Sequence, residues 1–239
     1  MENLITMLTN NEWLNDDAMD LLIKTFCTVD NKPSIAFMNS IQIDIALRKF
    51  QANNHAFSNK QQTIKSIGPY FNNRYENCEG IMILIHGPKT SNNVITIVDK
   101  STGLNQIINI NNHWSLAYYS KDRNTFYHYD SLNNMNGPKF IDIINFMKIA
   151  KLVPTSAKAF APKFIPQQPS SWECGYFVLS YAYLIATKRN PQPITKQEIL
   201  QLQSTQYFDM STHASPFRIS LQQYTSTLIS NLLNINNVS

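Results

Sequence analysis

The chain is 239 residues long with a formal charge of +4, 43% apolar and 15% charged residues, enough to bury one substantial core and short for two independent domains. Its six glycines form neither a GxGxxG run nor a P-loop, and its lysines are dispersed, which argues against nucleotide-dependent chemistry and against a nucleic-acid partner. Three cysteines, Cys27, Cys78 and Cys174, are an odd count without metal-ligand spacing, so they suggest a reducing compartment, no disulfide framework and no metal or other cofactor.

The opening Met1-Glu2-Asn3-Leu4 lacks the basic and apolar regions of a signal peptide, and no stretch is apolar for long enough to span a bilayer, so a cytosolic protein is expected. Trp13-Leu14-Asn15-Asp16 leads into a predicted helix from Asp16 to Cys27, with Asn15 as N-cap and Asp16 as a first-turn acid. A short strand over Ile35 to Met38 and an Asn39-capped segment to Gln51 follow. Polar runs such as Asn53-Asn54-His55 then precede two strand-like runs, Ile81 to Ile85 and Val94 to Val98, which read as a hairpin across Gly87 to Asn93. Next come Asn111-Asn112-His113 before a strand over Trp114 to Tyr119, the turn Lys121-Asp122-Arg123, and a strand from Asn124 to Tyr129 that ends at Asp130. A helix is expected near Lys139 to Ala150. The run from Gly175 to Ala186 is apolar around its whole circumference and stops before Pro191, so it reads as a buried central helix beginning at Cys174. Two amphipathic helices close the chain, the last carrying Ile219, Tyr224, Leu228 and Leu232 on one packing face.

A thiol attacks carbonyls as its thiolate, and at neutral pH it needs an imidazole or a helix N-terminus to reach that form. Taken alone, Cys174 reads as an inert core thiol capping a buried helix. His113 and Asp130 change the reading: two antiparallel strands joined by a short turn bring the start of the first beside the end of the second, where an imidazole and a carboxylate meet as a triad requires. The other histidines, His55, His86, His128 and His213, are scattered singly and read as surface or hydrogen-bonded structural residues.

Trp13-Leu14-Asn15-Asp16, His113-Trp114-Ser115-Leu116, Tyr129-Asp130-Ser131, and Gln168 six positions before Cys174-Gly175 together resemble the clan of cysteine proteases that cleave ubiquitin-like proteins, which includes SUMO proteases, deneddylases, the adenovirus maturation protease and bacterial effectors. In order and spacing they look most like the deneddylase and SUMO-protease branch. The resemblance implies an α+β, papain-like protease fold: a mixed or antiparallel central sheet flanked by helices, with the nucleophile at the N-terminus of a buried helix. It implies Cys174 as nucleophile, His113 as general base and then acid, Asp130 as the group orienting the imidazole, and Gln168 as an oxyanion donor. One such donor is worth about 3 kcal/mol of transition-state stabilisation. Trp13, Trp114 and Asp16 match family positions around a narrow channel for a Gly-Gly tail, and Trp172 stands at its rim. Trp13 reads equally as core packing, and Asp16 as a helix-start acid.

Three features depart from the family pattern: Glu173 stands where aspartate is usual, Trp172 replaces a small or polar residue, and about a hundred residues separate Trp13 from His113. The last implies one catalytic domain, 1–239, with a variable insertion at about 52–109 that either contacts the modifier or is a surface excursion. The activity implied is removal of ubiquitin or a ubiquitin-like modifier from target proteins by cleavage after a C-terminal Gly-Gly, with ubiquitin or the Nedd-type modifier favoured over SUMO. The alternatives are an effector acetyltransferase using the same cysteine and acetyl-coenzyme A, and a non-catalytic modifier-binding module. Abundant Asn, Ile and Lys suit an AT-rich genome, and an effector injected into a host cytosol fits the same features.

Overall fold

In a computed structural model, the structure describes residues 14–28, 35–52, 78–87, 94–98, 105–109, 113–168, 173–186, 188 and 192–204. The elements in order are α1 (Asp16–Thr28), β1 (Ile35–Met38), α2 (Ser40–Ala52), β2 (Gly80–His86), β3 (Val94–Val98), β4 (Asn105–Asn109), β5 (Trp114–Ser120), β6 (Thr125–Tyr129), α3 (Gly137–Ile149), β7 (Lys158–Phe160), α4 (Cys174–Ala186) and α5 (Lys196–Ser204). Two caps expected from sequence form. Asn15 Oδ1 accepts from Ala18 N–H at 2.9 Å to start α1. Asn39 and Gln42 exchange hydrogen bonds at the head of α2, Gln42 N–H to Asn39 Oδ1 and Asn39 N–H to Gln42 Oε1, in the reciprocal manner of a capping box.

Five strands form one mixed sheet in the order β1-β2-β5-β6-β7, with β1–β2 and β6–β7 parallel and the two central pairings antiparallel. Alternation along β2 and β5 sends Met82, Leu84, Leu116 and Tyr118 into one core with α1 and α4. Ile81, Ile83, Ile85, Ala117 and Tyr119 go into a second core with α2 and α3. The layers are therefore helices, sheet, helices. A strand covered on both faces must be apolar at every position, which is why Ile81 to Ile85 shows no alternation. Among the described residues, no helix is long and apolar enough to cross a membrane.

The structure corrects the expected hairpin between Ile81–Ile85 and Val94–Val98. Both edges of β2 are occupied, by β1 and β5, so β3 has no place beside it and pairs instead with β4 in a separate antiparallel ribbon. The interval 52–109 thus contains a central strand of the main sheet. Strand β7 is also absent from the sequence reading: it is three residues long with all three side chains exposed, so it carries no periodic signal and exists only through its parallel pairing to β6. The predicted final helix around Ile219 to Leu232 lies outside the described residues.

Gly80 opens β2 where the ring of Tyr118 crosses it: an added Cβ would lie 2.5 Å from the phenol carbon Cε2 and from its hydroxyl oxygen. Tyr118 is fully buried and has nowhere to retreat. Gly80→Ala is therefore expected to destabilise the fold by about 1–3 kcal/mol, the usual cost of overpacking a core. A denaturant midpoint unchanged from wild type would contradict this packing.

Candidate active site

The β5–β6 hairpin does the first part of the assembly. His113 immediately precedes β5 and Asp130 immediately follows β6, and the antiparallel register pairs Leu116 with Tyr129, so the two side chains arrive at the same sheet end. The tight connection holds because Asn124 takes φ 44° and its side chain accepts from Tyr119 Oη–H at 2.8 Å. His113 Nε2 lies 2.6 Å from Asp130 Oδ1, and both residues are buried. Asp130 is held in turn by backbone donors, Leu132 N–H to Oδ1 at 2.8 Å and Asn136 N–H to Oδ2 at 2.9 Å. Burial alone would raise the Asp130 pKa, but the hydrogen bond and charge of His113 outweigh it and hold the carboxyl below its ordinary value.

Behind this pair lies a network that sequence reasoning missed. The Asn136 side-chain amide donates to the backbone carbonyl of His113 at 3.2 Å and to Ser115 Oγ at 3.0 Å. Ser115 Oγ is 3.0 Å from His128 Nε2, and His128 Nδ1 is 2.6 Å from Asn134 Oδ1. These contacts are mutually consistent when His128 is neutral with its proton on Nδ1: it donates to Asn134 and accepts from Ser115. Burial lowers the His128 pKa in the same sense. His128 is thus a hydrogen-bonded structural residue, stacked on Phe140 with ring centroids 4.5 Å apart. The only local sign of Asn136 was its place before Gly137-Pro138 at a helix start, which reads as turn chemistry.

Cys174 is the first residue of α4 and is fully buried. The helix packs closely at its next residue, where a Cβ on Gly175 would sit 3.2 Å from Leu14, just ahead of α1, and 3.4 Å from Met19 within it. At that position the backbone N–H groups and positive end of the helix dipole favour negative charge on the sulfur. His113 Nε2 is committed to Asp130, whereas Nδ1 is buried without a hydrogen bond of ordinary geometry, and the Cys174 thiol interacts with the same ring. Burial pulls the His113 pKa down, but hydrogen bonding and charge from Asp130 and Cys174 overcome it and raise the imidazole to about 9.

Gln168 is buried and doubly tied to Ser131, the residue after Asp130. Its backbone N–H donates to Ser131 O at 2.8 Å, and Ser131 Oγ–H donates to its Oε1 at 2.7 Å. Next to it, Gln167 Oε1 accepts from Asn133 N–H, so the 167–168 segment is fastened along the turn after β6.

Of the four expected substrate-binding residues, Trp13 and Trp172 lie outside the described residues. Trp114 is buried, stacked on His86 at 4.1 Å, and donates from Nε1 to Leu14 O at 3.2 Å. Asp16 accepts from Ser40 Oγ–H at 3.0 Å, linking the heads of α1 and α2. Among the described residues, no group of three His, Cys, Asp or Glu side chains is placed to hold a metal ion.

The family described as "Ulp1 protease family, C-terminal catalytic domain" matches residues 12–216. The chain belongs to the Ulp1 protease family. Two curated relatives match over a shorter stretch: the probable sentrin-specific protease 8 of Dictyostelium discoideum, 39% identical over 72 residues, and the human sentrin-specific protease 8, 31% identical over 67 residues. Each match covers 28% of this chain and less than a third of the relative, 30% and 32%. A solved structure of the SUMO protease Ulp1, with its catalytic cysteine oxidised to a sulfonic acid, superposes with a TM-score of 0.51 at 16% identity, covering 82% of this chain and 76% of that one. At that identity the likeness is one of fold, and it agrees with the α+β, papain-like arrangement of a mixed sheet between helices. In this Ulp1-family chain, then, the helix that begins at Cys174 starts 44 residues after Asp130 and meets the His–Asp hairpin only in the folded core.

Proposed function

We propose that the protein is a thiol isopeptidase that removes ubiquitin or a ubiquitin-like modifier from target proteins by cleaving after a C-terminal Gly-Gly. The observation that carries this reading is the buried 2.6 Å contact of His113 Nε2 with Asp130 Oδ1, on a ring that also interacts with a cysteine at a helix N-terminus. Cys174 gives its proton to His113 Nδ1 and attacks the glycine carbonyl. The oxyanion takes hydrogen bonds from the Cys174 backbone N–H and the Gln168 side-chain amide. His113 then protonates the departing lysine amine, and water, deprotonated by the same imidazole, hydrolyses the thioester. Covalent catalysis of this kind replaces one difficult step by two easier ones.

In this reading, Trp13 and Trp172 cover the channel for the Gly-Gly tail, Trp114 forms its floor, and Asp16 braces the start of α1 beside it. Residues 1–239 form one catalytic domain. Residues 80–86 drop out of the variable insertion expected at about 52–109, because β2 belongs to the main sheet, and the β3–β4 ribbon stays within it. Ubiquitin or the Nedd-type modifier is favoured over SUMO on the likeness of His113-Trp114-Ser115-Leu116 and Phe126 to Ser131 to deneddylases. The names of the relatives, a sentrin-specific protease and a SUMO protease, support the broader class of ubiquitin-like modifiers. The site of action is a cytosol, the producing cell's own or that of a host.

The test is reaction with C-terminal electrophile probes of ubiquitin, the Nedd-type modifier and SUMO, followed on a gel. An adduct forming faster with one of the first two is expected. A preference for the SUMO probe would reverse the modifier assignment, and no adduct with any probe would overturn the isopeptidase reading in favour of acyl transfer from acetyl-coenzyme A, if that labels Cys174, or of a non-catalytic modifier-binding module, if it does not.

A further inference from the structure

Ser131 stands out among the buried polar side chains because neither the His–Asp pair nor the network behind it uses its hydroxyl. It is 1% exposed, and its Oγ–H donates to Gln168 Oε1 at 2.7 Å, while its carbonyl accepts the Gln168 backbone N–H at 2.8 Å. A glutamine amide presents an acceptor at one end and two donors at the other, and a buried hydroxyl must place its proton on an acceptor. The Ser131 hydroxyl therefore selects which end of the Gln168 amide faces it. If the amide were turned over, the Gln168 NH₂ would face Ser131 and the carbonyl would point the other way, presenting an acceptor, which repels an oxyanion.

We infer that Ser131 is a positioning residue that locks the flip of the Gln168 amide, so that its NH₂ end is presented to the oxyanion. This inference rests on the assignment of Gln168 as oxyanion donor. Its consequence is a division of labour along one dipeptide: Asp130 orients the imidazole and Ser131 orients the oxyanion donor, so the turn after β6 sets both halves of the site.

Turnover of C-terminal aminocoumarin amides of ubiquitin, the Nedd-type modifier and SUMO supplies the first readout, and alkylation of Cys174 by iodoacetamide, followed by mass spectrometry, the second. Alkylation needs the thiolate but no oxyanion donor. Ser131→Ala is expected to lower kcat about ten-fold with KM unchanged, and Gln168→Ala about a hundred-fold. The double variant should be no slower than Gln168→Ala, because residues acting as one unit are not additive. The rate and pH dependence of Cys174 alkylation should stay at wild-type values in Ser131→Ala, which also shows that the variant is folded. Multiplying effects in the double variant, wild-type kcat in Ser131→Ala, or alkylation that slows in step with turnover would each overturn the positioning role while leaving Gln168 assigned. Wild-type kcat in Gln168→Ala would overturn the oxyanion assignment, and the role of Ser131 with it.

Discussion

Cys174→Ala is expected to reduce modifier release by about 10⁵-fold or more, the scale of loss when the nucleophile is deleted from a working triad. Cys174 is the first residue of a 13-residue helix and wholly buried, and alanine is a good helix former of smaller size, so the substitution removes the sulfur with little disturbance of the helix. His113 keeps its hydrogen bond to Asp130, and the channel proposed for the modifier's tail is untouched. The variant should therefore bind modifier and form no covalent adduct with the electrophile probes, while melting close to wild type. Because Cys27 and Cys78 are also buried, an adduct surviving in Cys174→Ala would mean that another thiol is the nucleophile and would remove the basis of the site.

Asp130→Asn is the second largest effect, and the geometry says which part of the mechanism it removes. Oδ1 faces two donors, His113 Nε2 and Leu132 N–H, whereas Oδ2 receives one hydrogen bond, from Asn136 N–H. An asparagine therefore turns its NH₂ to the Oδ2 side, where it opposes one backbone donor instead of two donors, and keeps its carbonyl on His113. The tautomer of His113 survives and the negative charge is lost. A fall in kcat on the order of 10²–10³ is expected, less than the roughly 10⁴ lost when such a substitution also reverses the tautomer.

The same substitution makes a pH prediction. In the wild-type protein the His113 pKa is raised from 6.5 to about 9, so the folded state holds a proton that the unfolded chain has released across that window. Stability from this group is complete below pH 6.5 and is lost as pH rises through about 9. The Asp130 carboxyl, held below its ordinary value by the same pairing, contributes in the opposite sense: its stabilisation is present at neutral pH and is lost on acidification. Asp130→Asn should flatten the decline in melting temperature between pH 6.5 and 9 and remove its share of the acid limb. A variant that loses stability over pH 6.5 to 9 as steeply as wild type would show that the pair does not hold the proton.

Local chemistry made much of the scaffold legible. Asn15 and Asn39 announce helix starts by their capping side chains, and both caps form. The apolar circumference from Gly175 to Ala186 can belong only to a helix buried on every side, and α4 spans Cys174–Ala186. The hairpin carrying His113 and Asp130 was legible because two short strands on either side of a polar turn leave one plausible pairing. The partner of Ile81 to Ile85 was not legible for the converse reason. An unbroken apolar run says that both faces are covered but is silent about which strands lie at its edges, and nearness in sequence suggested Val94 to Val98 where the sheet uses Ile35–Met38 and Trp114–Ser120.

Residue type and strand order therefore pointed to Cys174, His113 and Asp130 as a candidate set, and Gln168 joined it only through the family resemblance, because nothing local sets it apart from a loop residue in a Pro-rich turn. Tertiary structure alone decided how that set is held. The Asn136 bridge spans 21 to 23 residues and the Ser131–Gln168 bond 37, joining groups whose local surroundings do not announce their partners. Such hydrogen bonds carry no periodic or capping signature in sequence. They exist because burying the sheet end removes water from these groups, and each must then find its partner across the fold.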